Sequence, residues 1–180
     1  RWYEPGSVIT ILDPTLTDDL SREARYLLAV QAASAGMVIM SKTQLCSDGE
    51  KEAAICALNA ALAEFKCRRR YGDEVLKKPW NQLTESDLLD ASESGYRLYD
   101  MEKLILKNGG SFSSIYYLNR GIAEKGLSEK LKAIFSSEEC GNVIRIKGML
   151  PDLSFNATKN ELSSEKKPTG KDCVIVIGES

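Results

Sequence analysis

Between Tyr26 and Met40 the chain carries no charged residue, and this stretch limits the fold more than any other. A segment of that kind has to be hidden from water. Fifteen residues of helix span about 22 Å, short of the roughly 30 Å hydrocarbon core of a bilayer, and Gln31 and Ser34 add polarity. The segment therefore reads as a helix buried on most sides and not as a membrane span. Thr15 or Thr17 can cap it, Asp18 and Asp19 favour the positive end of its dipole, and it runs to about Lys42. Ala29, Ala32, Ala33, Ala35 and Gly36 give it small surfaces for close packing.

The next helix is expected over Asp48 to Tyr71, ended by Gly72. Ile55, Leu58, Leu62 and Phe65 recur on one stripe, and many alanines raise its propensity. The short linker Gln44 to Gly49 predicts an antiparallel hairpin of the two helices. After a loop holding Pro79-Trp80, Thr84 opens a third helix with an approximate capping box. That helix carries Leu88, Ala91, Leu98, Met101 and Ile105 and stops at Asn108-Gly109-Gly110. Two shorter helices are expected over residues 113–124 and 128–135.

Val8 to Leu12 reads as a strand ended by Asp13-Pro14, and Val143 to Lys147 alternates as a half-exposed strand does. Residues 152–171, rich in Ser, Lys, Asn and Glu, read as a flexible linker. The chain then closes on an apolar strand, Cys173, Val174, Ile175, Val176 and Ile177, which must pair with its own sheet or add to a partner's sheet edge. The expected fold is mainly α, a helical bundle of about five helices with a small β component from short N- and C-terminal strands. Residues 1–150 form the helical domain and 151–180 the linker and terminal strand.

The 180 residues contain no histidine. That removes Ser-His-Asp triads, Cys-His dyads and His-dependent zinc sites, and with them the usual general base. Five cysteines (Cys46, Cys56, Cys67, Cys140 and Cys173) include no CxxC and no even set, which argues against metal binding and a disulfide framework. Reduced thiols and a reducing intracellular compartment are favoured. The chain opens at Arg1 rather than Met, as a processed or excised piece does, with no signal-peptide pattern. Apolar residues make up 43%, charged residues 28%, and the net charge is −2, so no global pull toward nucleic acid or anionic membrane exists.

The densest local charge is Lys66-Cys67-Arg68-Arg69-Arg70, with Tyr71 and then Lys77-Lys78. Arg68, Arg69, Arg70, Lys77 and Lys78 are the candidate nucleic-acid contacts, because guanidinium forks suit phosphate oxygens. Cations in the last turn of a helix also serve its free carbonyls. Ile122 to Leu131 resembles the turn of a helix-turn-helix, but the step from Ala123 to Gly126 is three residues where that motif has four. Pro168-Thr169-Gly170-Lys171 has part of the look of a P-loop, yet neither GxxxxGK[ST] nor GxGxxG occurs. Cys46 lies beside Lys42, and without histidine a base would have to be Lys, Asp or Glu. The carboxylate pairs Asp18-Asp19, Glu138-Glu139 and Glu161/Glu165 sit where solvation explains them. Tyr96, Tyr99, Phe112, Tyr116 and Tyr117 cluster in the second half, as core-edge or interface residues.

On these grounds the expected function is a non-enzymatic interaction or assembly module acting with itself or another protein chain, without a cofactor or metal. A nucleic-acid-associated structural protein built on Arg68–Arg70 is the alternative, and a histidine-free enzyme with a Lys or carboxylate site is the second.

Overall fold

The computed structural model describes residues 6–16, 20–105 and 112–179. The chain divides into two compact units, Arg1–Ile105 and Leu106–Ser180, and not at residue 150.

In the first unit, strand β1 (Ile9–Leu12) leads to helix α1 (Arg22–Ser34), which returns the chain to strand β2 (Met37–Met40). The two strands pair in parallel, Ile9 with Met37 through Leu12 with Met40. Helix α2 (Asp48–Glu64) follows, and Leu76 then pairs in parallel with β2 on its other side, its amide donating to Val38 and its carbonyl accepting from Met40. This is a β-α-β unit with a two-stranded parallel sheet, followed by a second helix and a single parallel bridge at Leu76. Helix α3 (Glu85–Glu93) opens on the capping box of Thr84 and Asp87. The core is one cluster that joins Ala29, Ala32 and Ala33 of α1 to Ile55, Leu58 and Leu62 of α2 and to Val38 and Met40 of β2.

The charge-free segment is thus a helix and a strand, not one helix to Lys42. The break falls at Ala35-Gly36, where the chain passes so close to Ser94 and Gly95 that a Cβ on Gly36 would overlap their carbonyl oxygens. Val38 and Ile39 beyond it are β-branched and buried, as strands of a covered parallel pair are. The expected start at Thr17, Asp18 and Asp19 falls outside the described residues, and Ser21 caps α1 instead, accepting from the Ala24 amide at 3.1 Å.

Helix α2 also ends early. Lys66 takes the left-handed conformation (φ 58°), its amide reaches Ala63, and the Cys67 amide reaches Leu62. These two bonds are a Schellman ending with a lysine where glycine is usual. The third helix stops at Glu93 because Gly95 turns left-handed (φ 63°) and Tyr96 bridges to Ala35. Leu98 and Ile105 are therefore not helical; the expected stop at Asn108-Gly109-Gly110 lies outside the described residues.

The second unit is a five-stranded antiparallel sheet, which overturns the helical-bundle expectation outright. Strand β3 (Phe112–Leu118) occupies the place of an expected helix; helix α4 (Leu127–Ser136) follows. Then come β4 (Val143–Leu150), β5 (Leu153–Thr158), β6 (Leu162–Lys166) and β7 (Cys173–Glu179). The spatial order is β3-β7-β4-β5-β6. Leu127 and Leu131 of α4 pack on Ile146, Leu150, Leu153, Phe155, Ala157 and Val174. The presumed linker supplies β5 and β6, because Leu153, Phe155 and Ala157 alternate with polar residues and bury one face. Across the described residues there are four α-helices and seven strands, and no helix is long and apolar enough to cross a membrane.

The Gly36 contact gives a direct check. Gly36→Ala is expected to cost the first unit about 2 kcal/mol in urea unfolding, as overpacking does. Gly6→Ala, where a new Cβ meets nothing within 4 Å, should stay within about 0.5 kcal/mol of the parent.

Candidate functional site

The carboxyl ends of β1 and β2 lie side by side and bring together four short polar segments. Beyond β1, Asp13 accepts from the Thr15 amide at 3.0 Å and the Thr15 hydroxyl at 2.7 Å through one carboxylate oxygen. Its other oxygen takes the Lys42 ammonium at 3.0 Å. Beyond β2, the Ser41 amide donates to the Leu12 carbonyl at 2.8 Å. Lys42 holds a left-handed backbone (φ 54°) that turns the chain into the single 3-10 turn Thr43–Leu45. A lysine there is unusual, since only glycine enters that region without cost.

Thr43 is the informative residue. It is 2% exposed, and its hydroxyl has no hydrogen-bond partner. A buried hydroxyl left unpaired costs about 1–3 kcal/mol, so such groups are few and each asks for a reason. Nearby, burial pushes the Cys46 thiol up, and the charges of Glu50 and Asp13 push it the same way. The adjacent start of α2 is closed by its own residues: Ser47 and Glu50 form a reciprocal capping box, with bonds of 2.7 and 3.3 Å. Two of the free amides of its first turn, those of Ser47 and Glu50, are thereby satisfied. Asp13, Asp48 and Glu50 outnumber Lys42 and Lys51 around this end, so the site suits a neutral group that both donates and accepts, not a phosphate.

The predicted basic residues are not gathered into one patch. The Arg69 guanidinium donates to the carbonyls of Ala32 and Ala33, at 3.0 and 3.2 Å, and more closely to that of Ala35. It lies 4.4 Å from the centre of the Tyr71 ring and 5.7 Å from that of Tyr99. Arg70 turns back on the Cys67 and Arg69 carbonyls. Lys77 pairs with Glu52, and Lys78 with Asp87, whose carboxyl that bond and the Thr84 cap hold down at about 2. Arg68 is exposed beside a groove lined by Lys66, Leu98, Tyr99 and Glu102. The strand Cys173, Val174, Ile175, Val176 and Ile177 lies inside the sheet of the second unit, bonded to β3 on one side and β4 on the other. All five cysteines are free thiols, and no three Cys, Asp or Glu side chains converge as metal ligands among the described residues.

No family model and no curated protein matches the chain. Two solved structures are similar to it. One is the Zn(II)-bound YjiA GTPase from E. coli, at 19% identity and a TM-score of 0.35, covering 100% of this chain and 58% of that one. The other is a Zn(II)-bound triple mutant of the same GTPase, at 15% identity and a TM-score of 0.33, with 99% and 57% covered. The chain thus spans a little over half the length of the solved chains it is similar to.

The expectation of a non-enzymatic interaction or assembly module, with a nucleic-acid-associated structural protein as alternative, is corrected by the structure: the terminal strand behind it is paired on both sides within its own sheet. The cations behind the alternative are mostly committed to carbonyls and carboxylates of their own unit.

Asp13, Ser41, Lys42 and Thr43 were not singled out from sequence as a group. The available signal was two short apolar runs, Val8–Leu12 and Met37–Met40, each followed at once by polar residues. The second run was hidden inside the charge-free stretch.

Two measurements check the structural role of the basic cluster. Arg69→Ala should destabilise the fold by about 2 kcal/mol, the worth of charged hydrogen bonds to buried carbonyls, while Arg68→Ala should stay within about 0.5 kcal/mol. Burial pushes the Tyr71 phenol up to about 12, and its hydroxyl donates to Ala32 at 2.7 Å. Its ordinary value is near 10 in the unfolded chain, so its contribution is whole below pH 10 and fades as pH rises toward 12. Tyr71→Phe should flatten that alkaline loss in unfolding measured between pH 9 and 11.

Proposed function

We propose that the first unit binds a nucleotide at the carboxyl ends of β1 and β2, and that Ser41, Lys42 and Thr43 meet its base end. The β-α-β unit with parallel pairing of β1 and β2, extended by the parallel bridge at Leu76 after α2, is the kind of unit from which mononucleotide-binding halves of open α/β sheets are built. In such sheets ligands sit outside the carboxyl ends of the strands. The observation that carries the reading is the Thr43 hydroxyl, buried and unpartnered at that position. A heterocyclic base supplies the missing donor or acceptor, and the Lys42 stem offers apolar cover for its ring.

The charge balance supports the base rather than the phosphates as the moiety held here. The carboxylates of Asp13, Asp48 and Glu50 stand at this end, two of the α2 amides are taken by the capping box, and neither phosphate-binding fingerprint is present in the sequence. A partner, whether a second copy or another protein chain, would act through surfaces other than this one.

Thermal unfolding with purine and pyrimidine nucleosides, nucleoside triphosphates and inorganic triphosphate tests the proposal. A nucleoside and its triphosphate are expected to raise the midpoint, and inorganic triphosphate alone is not. Thr43→Val removes the unpaired hydroxyl at nearly constant volume. It should raise the ligand-free midpoint by about 4 °C and abolish the nucleoside shift. If no nucleoside moves the midpoint of the parent protein, or if Thr43→Val lowers it, the reading fails.

A further inference from the structure

The five-stranded sheet of the second unit has two free edges, and they are built differently. β6 (Leu162–Lys166) is short and carries Glu165 and Lys166, the usual protection of an edge. β3 is seven residues long, Phe-Ser-Ser-Ile-Tyr-Tyr-Leu, with no charge and no proline. Its register with β7 runs unbroken from Phe112 opposite Glu179 to Leu118 opposite Cys173, with no bulge to bend it away. Its other side has no pairing strand among the described residues. Ile115, Tyr116 and Leu118 are 54%, 62% and 59% exposed. An edge of this kind templates another strand.

The sequence of β3 says which strand fits. Laid antiparallel against itself about Ile115, it sets Ile115 opposite Ile115, Ser114 opposite Tyr116, Ser113 opposite Tyr117 and Phe112 opposite Leu118. Each tyrosine then faces a small serine, and apolar residues meet at the centre and at both ends. No charge opposes another. This register uses all seven residues. It also keeps Ile115 and Tyr117, which pair with Val176 and Val174 on the side packed by α4, on the same face of both copies. The interface is isologous, as two-fold dimers require.

We propose that the β3 edge pairs with the β3 edge of a second copy, antiparallel about a two-fold axis at Ile115, joining the two sheets into one. The surface that assembles is thus the charge-free edge and not the C-terminal strand, which already has a neighbour on each side.

Sedimentation velocity over a concentration series, on the full chain, reads the association. The protein is expected to dimerise reversibly, and Ile115→Lys, which sets two ammonium groups face to face, should weaken the dimer by at least about tenfold. Far-UV circular dichroism of that variant establishes that it is folded. A second test needs no disruption. At the two-fold centre, opposed Cα atoms stand about 4.5–5.5 Å apart, within disulfide reach, so Ile115→Cys should give a covalent dimer on mild oxidation. Phe112→Cys places its two thiols about 20 Å apart and should crosslink no faster than the parent protein with its native cysteines. A monomer at every concentration, a dimer indifferent to Ile115→Lys, or equal crosslinking of the two cysteine variants each overturns the proposal.

Discussion

The first unit depends on how the buried end of α1 is satisfied. A helix ends with free carbonyls, and these are costly where water cannot reach them. Here those of Ala32, Ala33 and Ala35 are taken by Arg69, that of Ala32 also by the Tyr71 hydroxyl, and that of Ser34 by the Arg97 amide. Two segments distant in sequence are thereby fixed against one helix end. The same closure holds Gly36 against Ser94 and Gly95, and it sets where β2 starts. Because β2 runs parallel to β1 from that point, the closure also decides where their carboxyl ends lie.

This arrangement explains why Arg69 serves structure. Arg69 sits just past the Schellman ending of α2, which Lys66 makes possible by its left-handed backbone. Its guanidinium is planar and lies against the rings of Tyr71 and Tyr99, so Nη1 is aimed at the three carbonyls with little loss of freedom. A lysine at this position would keep the charge and lose the planar group stacked on the two rings. The run Arg68–Arg70 looks like one patch in sequence, yet its members point at different tasks.

At the opposite end of the unit, the polar groups beyond β1 and β2 are held without being fully satisfied. Asp13 is saturated by Thr15 and Lys42, and Ser47 and Glu50 satisfy each other. Thr43 is left over. A unit that spends so much to cap one helix end, and leaves a hydroxyl unpaired at the strand ends, places its unmet polarity where open α/β sheets take ligands. In the second unit the unmet demand is that of one carboxylate oxygen of Asp172, buried without a partner, and of the backbone groups and apolar side chains of a strand edge.

Much of the local structure was legible. The Thr84–Asp87 box, the strand at Val8–Leu12, the alternation at Val143–Lys147 and the apolar terminal strand all follow from spacing and side-chain chemistry over a few residues. What spacing alone did not reveal was contact between distant segments. Tyr26–Met40 is equally apolar as one helix or as a helix and a strand, and only the approach of Ser94–Gly95 to Gly36 decides. Phe112–Leu118 has no strand alternation because both of its faces are exposed, so its state is set by pairing with β7. Residues 152–171 look polar because one face of β5 and all of β6 meet water. The sequence by itself determined the Thr84 cap, the strand-forming runs at Val8–Leu12, Val143–Lys147 and Cys173–Ile177 and the lack of histidine chemistry, since these rest on groups close to one another in the chain. Tertiary structure decided the parallel pairing, the fate of each arginine, the unpartnered Thr43 and the free β3 edge, since each depends on residues tens of positions apart.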